Sequence, residues 1–134
     1  MIEKNVSERE AGYPDIQLYA RWYPSYGLFI RHIKNITIRD VEFYYKRKDQ
    51  RPSVFCDDVS DIIFNNVSAQ SNNETQYIFY LKNAHDVLFR NCIRNKEAKK
   101  YLRVEGESSN IELYDIIGLR EEDVAGEKNI INIK

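Results

Sequence analysis

The sequence predicts an all-β fold, a single-stranded parallel β-helix of about four to five coils. Two observations predict this solenoid. One motif occurs four times at a nearly constant spacing, and a second strand-like run precedes each copy of it. Apolar and polar residues alternate within these segments, as in strands that turn one face inward. The 134 residues fit one domain, in which we assign residues 1–25 to a capping or lead-in segment and 26–134 to the coils.

The repeated motif reads Asn or Asp, apolar, any, apolar, any, Asn or Asp, apolar. Its copies begin at residues 35, 61, 86 and 110, so the spacings are 26, 25 and 24 residues: NITIRDV, DIIFNNV, DVLFRNC and NIELYDI. The runs that precede them are GLFIR, SVFCD, YIFYLK and YLRVE. We interpret the final NIINIK as the first strand of a fifth copy. The first apolar residues of the four motifs should share one interior column: Ile36, Ile62, Val87 and Ile111.

A leucine-rich repeat has a similar period but places a helix in each copy. The segment IKNITIRDV fits its apolar spacing. However, SVFCDDV and YIFYL are β-branched and aromatic, which is typical of strands. Helical character is found in one copy alone, in NKEAKKYL from Asn95. The sequence therefore favours the β-helix, and a helix in the second half of every copy would instead indicate the leucine-rich repeat.

Composition excludes several classes of function. The net charge of −1 gives no electrostatic reason to expect nucleic acid or an anionic membrane surface as a partner. The apolar runs are too short to span a bilayer, and the polar start MIEKNVSERE lacks the apolar core of a signal peptide. Two cysteines match no metal-ligand spacing and form no disulfide framework. We expect no metal and no cofactor. The 17 aromatic residues should pack a β-rich core, or in part form a surface for sugar rings.

The stretch RPSVFCDDVSDIIFNNV places two carboxylates side by side, and paired carboxylates are the catalytic groups of glycoside hydrolases. Alignment of the copies offers a structural interpretation instead. Asp58 falls in a turn with His32 and Asn83, where short polar side chains satisfy the backbone. Charges of alternating sign occupy the neighbouring column, which predicts an exposed ladder between coils about 4.8 Å apart: Arg31, Asp57, Lys82 and Glu105.

The remaining reactive side chains also have structural interpretations. Cys56 and Cys92 align with aliphatic residues of other copies and are predicted to lie in the core. His32 and His85 fall in turns and belong to no two-histidine metal motif. A further column should form a corner ladder of hydrogen-bonded side chains, as in cross-β stacks: Asp40, Asn66, Asn91 and Asp115.

Residues 13–69 resemble the C-terminal coils of bacterial glycoside hydrolase family 28 proteins, the polygalacturonase-like, pectin-degrading enzymes common in Bacteroides-type genomes. The resemblance is carried by PSYGLFIRHIKNITIRDVEF, then a charged loop, then RPSVFCDDVSDIIFNNV. Beyond Ala69 it is limited to the generic coil pattern. It implies a right-handed parallel β-helix and a pectic polysaccharide as the ligand.

The resemblance does not bring an active site with it. The family's catalytic elements are Asn-x-Asp, Asp-Asp, Gly-His-Gly and Arg-x-Lys. This chain has no Gly-His-Gly, and RHIK at residues 31–34 has the wrong spacing and precedes the Asp-Asp pair. The pair at 57 and 58 matches a non-catalytic coil of the family. We therefore assign no catalytic residue and expect the isolated chain to be inactive.

Two classes of function stay open. The chain is either the non-catalytic C-terminal portion of such a hydrolase or a separate β-helix module for carbohydrate binding or assembly. The expected partners are a pectic oligosaccharide and further copies of the chain, the latter through exposed coil ends. Family members are usually periplasmic or secreted, and the sequence itself does not give the compartment. Candidate sugar contacts, which could equally cap an open end, are Trp22, Tyr23, Tyr44, Tyr45 and Arg51.

Overall fold

The structure, a computed structural model, describes residues 23–134. Parallel strands are stacked there as a β-solenoid of about four turns, as predicted. Helix is confined in this part of the chain to two three-residue 3-10 turns, Glu121–Asp123 and Lys128–Ile130, which excludes the leucine-rich repeat. The lead-in predicted over 1–25 falls mostly outside the described residues. The strands are β1 (Leu28–Phe43), β2 (Val54–Ala69), β3 (Tyr77–Ile93), β4 (Lys100–Glu105), β5 (Ser109–Ile117), β6 (Val124–Ala125) and β7 (Ile131–Ile133).

Parallel pairing between successive coils follows the register of the repeats. Ile36 pairs with Ile62, Ile62 with Val87, and Val87 with Ile111, so the predicted interior column is confirmed. The last three of these side chains are buried, and Ile36 on the first coil is half-buried. The column continues to Ile131 in β7. Burial of equivalent residues in successive coils therefore gives the solenoid one continuous core.

Each coil bends where the backbone enters the left-handed region. Eleven described residues other than glycine have a positive φ between 51° and 64°, and all are Asn, Asp or His. These residue types tolerate the left-handed region best after glycine. They fall in three columns: His32, Asp58 and Asn83; Asn35, Asp61, Asp86 and Asn110; Asp40, Asn66, Asn91 and Asp115. Gly106 continues the first column, where an added Cβ would lie 2.3 Å from Oδ1 of Asn83.

The corner side chains also connect neighbouring coils. Asn66 Nδ2 donates a hydrogen bond of 2.8 Å to Asp40 Oδ1, which confirms this step of the predicted ladder. Asn91 Nδ2 instead donates to Asn65 Oδ1, one residue before the corner, at 3.4 Å. The corners thus combine a backbone preference with contacts between coils.

The interior is filled by aliphatic residues and an aromatic cluster. Phe64 stacks on Phe89 with ring centroids 4.6 Å apart, and Phe79 packs against the buried Tyr101 at 5.2 Å. Offset and tilted ring pairs of this kind add to the free energy of burial. Both free cysteines are buried, as predicted, and burial raises the pKa of the Cys56 thiol to about 12. Such thiols are inert core groups.

The helical prediction for NKEAKKYL is wrong. Residues 96–99 form bends, and strand β4 begins at Lys100. The guanidinium of Arg94 donates from Nη2 to the carbonyl oxygen of Ala98 at 2.9 Å. That carbonyl oxygen therefore accepts a hydrogen bond from a side chain. The loop packs around Arg94 and does not form the backbone hydrogen bonds of a helix.

The assignment of NIINIK to the first strand of a fifth copy is also wrong. The first strand of that coil is β6, which pairs with β4 through Val124 and Leu102. The strand β7, within NIINIK, pairs with β5 through Ile131 and Ile111 and is therefore the second strand of the coil. The short β6 contains two residues and carries too weak an alternation to be recognised.

A buried ion pair attaches this last coil to the third one. Arg94 donates to Asp123 from Nε at 2.7 Å and from Nη2 at 2.9 Å, and the side chains are 3% and 0% exposed. The backbone N–H of Arg120 also donates to Asp123 Oδ2 at 2.8 Å. Burial opposes ionisation of Asp123, but the hydrogen bonds from Arg94 and Arg120 prevail and hold its pKa below the ordinary value. The carboxylate of Asp123 therefore connects the loop before β6 to Arg94, which follows β3.

We predict that Asp123→Asn lowers the free energy of unfolding by about 3 kcal/mol, because it leaves a buried guanidinium without its counter-charge. The contribution of Asp123 should be complete above the ordinary Asp pKa of about 3.9 and should be lost as pH falls through the lower pKa of the folded state. Urea unfolding at a series of pH values measures both effects. Glu121→Gln, an exposed carboxylate in the same turn, is the control. A loss below about 1 kcal/mol in Asp123→Asn would contradict this view of a buried pair.

Candidate functional site

The predicted charge column is present in the register. Arg31 pairs with Asp57, Asp57 with Lys82, and Lys82 with Glu105. Arg31 Nε lies 3.4 Å from Asp57 Oδ2, and the two side chains are only 13% and 17% exposed. The expectation of an exposed ladder is therefore wrong at this step. Phe29 contributes to the cover of Arg31, since the guanidinium carbon lies 5.1 Å from the centroid of its ring.

The second aspartate of the pair is a corner residue. Asp58 has a φ of 56°, whereas Asp57 takes part in the parallel pairing. Asp58 Oδ2 lies 2.6 Å from Nδ1 of His32 on the preceding coil, in a surface pair whose side chains are 54% and 65% exposed. The two adjacent carboxylates thus have different partners, one in a shielded column and one at a solvated corner. Each carboxylate of the pair therefore has a structural partner of its own on the preceding coil.

A shallow groove of about 460 Å³ crosses the ends of β1, β2 and β3. Parallel coils lie about 4.8 Å apart, so the groove extends roughly 10 Å along the solenoid axis. We call it the Tyr44 groove, and the residues that line it are Glu42, Phe43, Tyr44, Ser68, Ala69, Gln70, Ile93 and Asn95.

Tyr44 is the most exposed large hydrophobic side chain of the described residues, at 71%. Its hydroxyl donates a hydrogen bond to Oε2 of Glu42. That bond and the adjacent negative charge raise the pKa of the Tyr44 hydroxyl. The hydroxyl of Tyr44 is therefore bound to Glu42, and the exposed ring presents an apolar face beside a carboxylate.

Two amide side chains and an apolar residue complete the groove. Gln70 Oε1 accepts a hydrogen bond of 3.2 Å from the backbone N–H of Tyr45, and Asn95 Oδ1 accepts one of 2.8 Å from the Ser71 hydroxyl. Each amide is therefore anchored through its oxygen, which fixes the direction of its N–H donors. Ile93 lies beside them and is 55% exposed. Together these groups resemble a binding surface with a few oriented polar groups.

The five predicted sugar contacts do not lie in one site. Trp22 lies outside the described residues. Tyr44 lines the groove, whereas Tyr45 is half-buried, its hydroxyl accepting a 3.1 Å hydrogen bond from Asn72 Nδ2. Its ring packs edge-on against Tyr26, with centroids 5.1 Å apart. Tyr45 thus supports the loop behind the groove.

Tyr23 and Arg51 line a second, smaller cavity of about 230 Å³. Arg51 binds Asp49 through Nε at 2.9 Å and Nη2 at 2.6 Å. It also donates from Nη1 to the Tyr23 carbonyl oxygen at 3.0 Å, while the Tyr23 ring stacks on Phe29 with centroids 5.4 Å apart. Both residues are therefore engaged in holding the first coil, away from the Tyr44 groove.

Sequence reasoning did not select the partners of Tyr44. Glu42 and Ser68 pair in the register, and Ile93 occupies the following coil at the same position. An isoleucine aligned with Glu and Ser, on the outer side of the strands, is the signal that could have indicated this surface. Gln70 and Asn95 lie in the loops, which the repeat alignment does not cover.

Comparison of the chain with protein-family models, with curated proteins and with solved structures finds no match. Within residues 23–134, no group of three or more His, Cys, Asp or Glu side chains is placed to hold a metal ion. The helices described there are also too short to cross a membrane. The side chains of the Tyr44 groove therefore carry the functional interpretation.

The two adjacent aspartates provide a matched pair of substitutions. Asp57→Asn should lower the free energy of unfolding by about 1–2 kcal/mol, between the values for exposed and buried ion pairs, because it removes a carboxylate that lies 3.4 Å from the shielded Arg31. Asp58→Asn should cost less than about 0.5 kcal/mol, since its pair is exposed and asparagine keeps the left-handed corner. Denaturant unfolding of both variants at pH 7 measures the difference. Equal losses would show that the shielding of Asp57 has no energetic consequence.

Proposed function

We propose that this chain is the non-catalytic C-terminal portion of a polygalacturonase-like glycoside hydrolase and that it holds pectic polysaccharide in the Tyr44 groove. The observation that carries the proposal is the exposed ring of Tyr44, fixed by Glu42 and flanked by two anchored amides. The resemblance of residues 13–69 supports the pectic ligand. The β-solenoid fold agrees with the architecture that the resemblance implies.

The shape of the groove favours an extended polymer. Its residues come from the ends of three successive strands, so it runs along the stacking direction of the coils. A sugar ring has apolar C–H groups on its faces and hydroxyl groups around its edge. The Tyr44 face can contact the former, and the amides of Gln70 and Asn95 can bond to the latter.

The arrangement of carboxylates favours binding without hydrolysis. A glycoside hydrolase places two carboxyl groups on either side of the scissile bond. Glu42 is the single carboxylate among the described residues that line the groove, and its Oε2 accepts the Tyr44 hydroxyl. Asp57 and Asp58 have their own partners on the preceding coil. In this proposal the chemistry belongs to other coils of the parent enzyme.

Assembly of several copies is the second candidate function. Ile93 and Ile117 pair in adjacent coils and are both exposed. Tyr114 in β5 and Ile133 in β7 add exposed apolar surface on the last coils. Such a surface can mark a contact between proteins. Elution of the purified chain as an oligomer, with no affinity for sugar, would favour this candidate over the first.

Tyr44→Ala should weaken binding to mixed esterified and de-esterified pectin about threefold to tenfold, the loss of one aromatic contact. Affinity electrophoresis in gels that contain the polysaccharide measures this loss. Tyr114→Ala removes another exposed tyrosine, on β5 and outside the groove, and should migrate like the wild type. Reducing-sugar release should stay at background for all three proteins.

Two results would overturn the proposal. If the wild type is not retarded by pectin, the groove does not bind this polysaccharide. If the wild type releases reducing sugar and an Asp57→Asn/Asp58→Asn double variant does not, the aspartate pair is catalytic after all.

A further inference from the structure

We infer that the Tyr44 groove selects pectic chains whose uronic acid carboxyl groups are esterified, in preference to the free polyanion. This inference rests on the proposed function of the groove and adds the chemical class of the sugar. It is based on two features of the described lining: the carboxylate of Glu42 without a lysine or arginine beside it, and the exposed side chain of Ile93.

The described lining of the groove includes one carboxylate and no lysine or arginine that could pair with a uronate. Glu42 is the only ionisable acid or base with a charge at neutral pH among the described residues that line it. De-esterified polygalacturonate has one carboxylate on each sugar residue. Like charges held close together repel, and the repulsion is strongest at low ionic strength. A polyanion seated beside Tyr44 therefore meets an unfavourable field at Glu42.

Two arginines, Arg94 and Arg51, are bound to other partners. Arg94 directly follows Ile93, yet it is buried and bound to Asp123 through two hydrogen bonds of 2.7 and 2.9 Å. Arg51 is bound bidentately by Asp49 in the separate smaller cavity. Neither guanidinium lines the groove, so neither is placed to neutralise a sugar carboxylate there.

The basic residues that follow Tyr44 also lie outside the lining of the groove. Lys48 Nζ lies 3.3 Å from Glu74 Oε1 on the next coil. Lys46 and Arg47 are exposed on the same loop, and they do not line the groove. None of these three basic side chains is therefore among the residues that contact a ligand seated in the groove.

The apolar part of the groove suits an ester. Ile93 is exposed beside the anchored amides, and Phe43 and Ala69 contribute further apolar surface. A methyl ester replaces the charge of a uronate with a small apolar group, which removes the repulsion from Glu42. It also allows contact with Ile93, which water otherwise covers.

The test compares one pectin before and after alkaline de-esterification, so that the polysaccharide backbone is the same. In affinity electrophoresis at low salt, the wild type should bind the esterified form about fivefold more tightly, which corresponds to roughly 1 kcal/mol. Glu42→Gln keeps an acceptor for the Tyr44 hydroxyl and should reduce this ratio. Glu107→Gln changes an exposed carboxylate at another corner and should leave the ratio unchanged. Added salt should reduce the wild-type ratio by screening.

The outcomes separate this inference from the proposed function. Tyr44-dependent binding with a preference for the de-esterified form would overturn the inference and leave carbohydrate binding in place. An unchanged ratio in Glu42→Gln would also overturn it. Absence of binding to both forms would overturn the proposed function, and the inference with it.

Discussion

The left-handed backbone at the corners of each coil is the constraint on which the rest of the structure depends. Asn, Asp or His occupies these three corners in every described case except Gly106, and the same corners recur along the solenoid. Because the corners recur, equivalent residues stack, and the core and the charge column follow from that register. Corner side chains add contacts between coils, such as the 2.7 Å hydrogen bond from Asn110 Nδ2 to Asp86 Oδ1. Asp58 occupies one of these left-handed corners and pairs there with His32.

The fold could be predicted because a solenoid converts sequence alignment directly into spatial contact. The interior column and both cysteine positions followed from the repeats alone. The errors arose where individual side-chain contacts, rather than the repeat, decide the structure. Arg94 binds carbonyl groups and prevents the helix expected from NKEAKKYL, and Phe29 shields the pair formed by Arg31 and Asp57. Exposure and loop conformation depend on such contacts, which periodicity does not encode.

The candidate site could be predicted only in part. Tyr44 was selected for its aromatic character, but its partner Glu42 is two residues away and has no unusual feature in the sequence. Gln70 and Asn95 reach the groove because successive loops leave the strands at the same edge of the solenoid. The sequence predicts Arg51 as a basic contact, but the hydrogen bonds of its side chain to Asp49 assign it to the packing of the first coil. Sugar recognition at the groove is thus a proposal from geometry and from a resemblance limited to residues 13–69.

Substitution of one corner residue tests the central claim most directly. Asp61 has a φ of 56° and is exposed, whereas Thr37 is an exposed residue within the pairing of β1 and β2. If the corner requires the left-handed region, Asp61→Val should lower the free energy of unfolding by about 1–3 kcal/mol and Asp61→Gly by less than about 0.5 kcal/mol. At Thr37 the order should reverse, with glycine costing about 1 kcal/mol and valine close to nothing. Denaturant unfolding of the four variants gives the answer. An equal loss for glycine and valine at Asp61 would contradict the account.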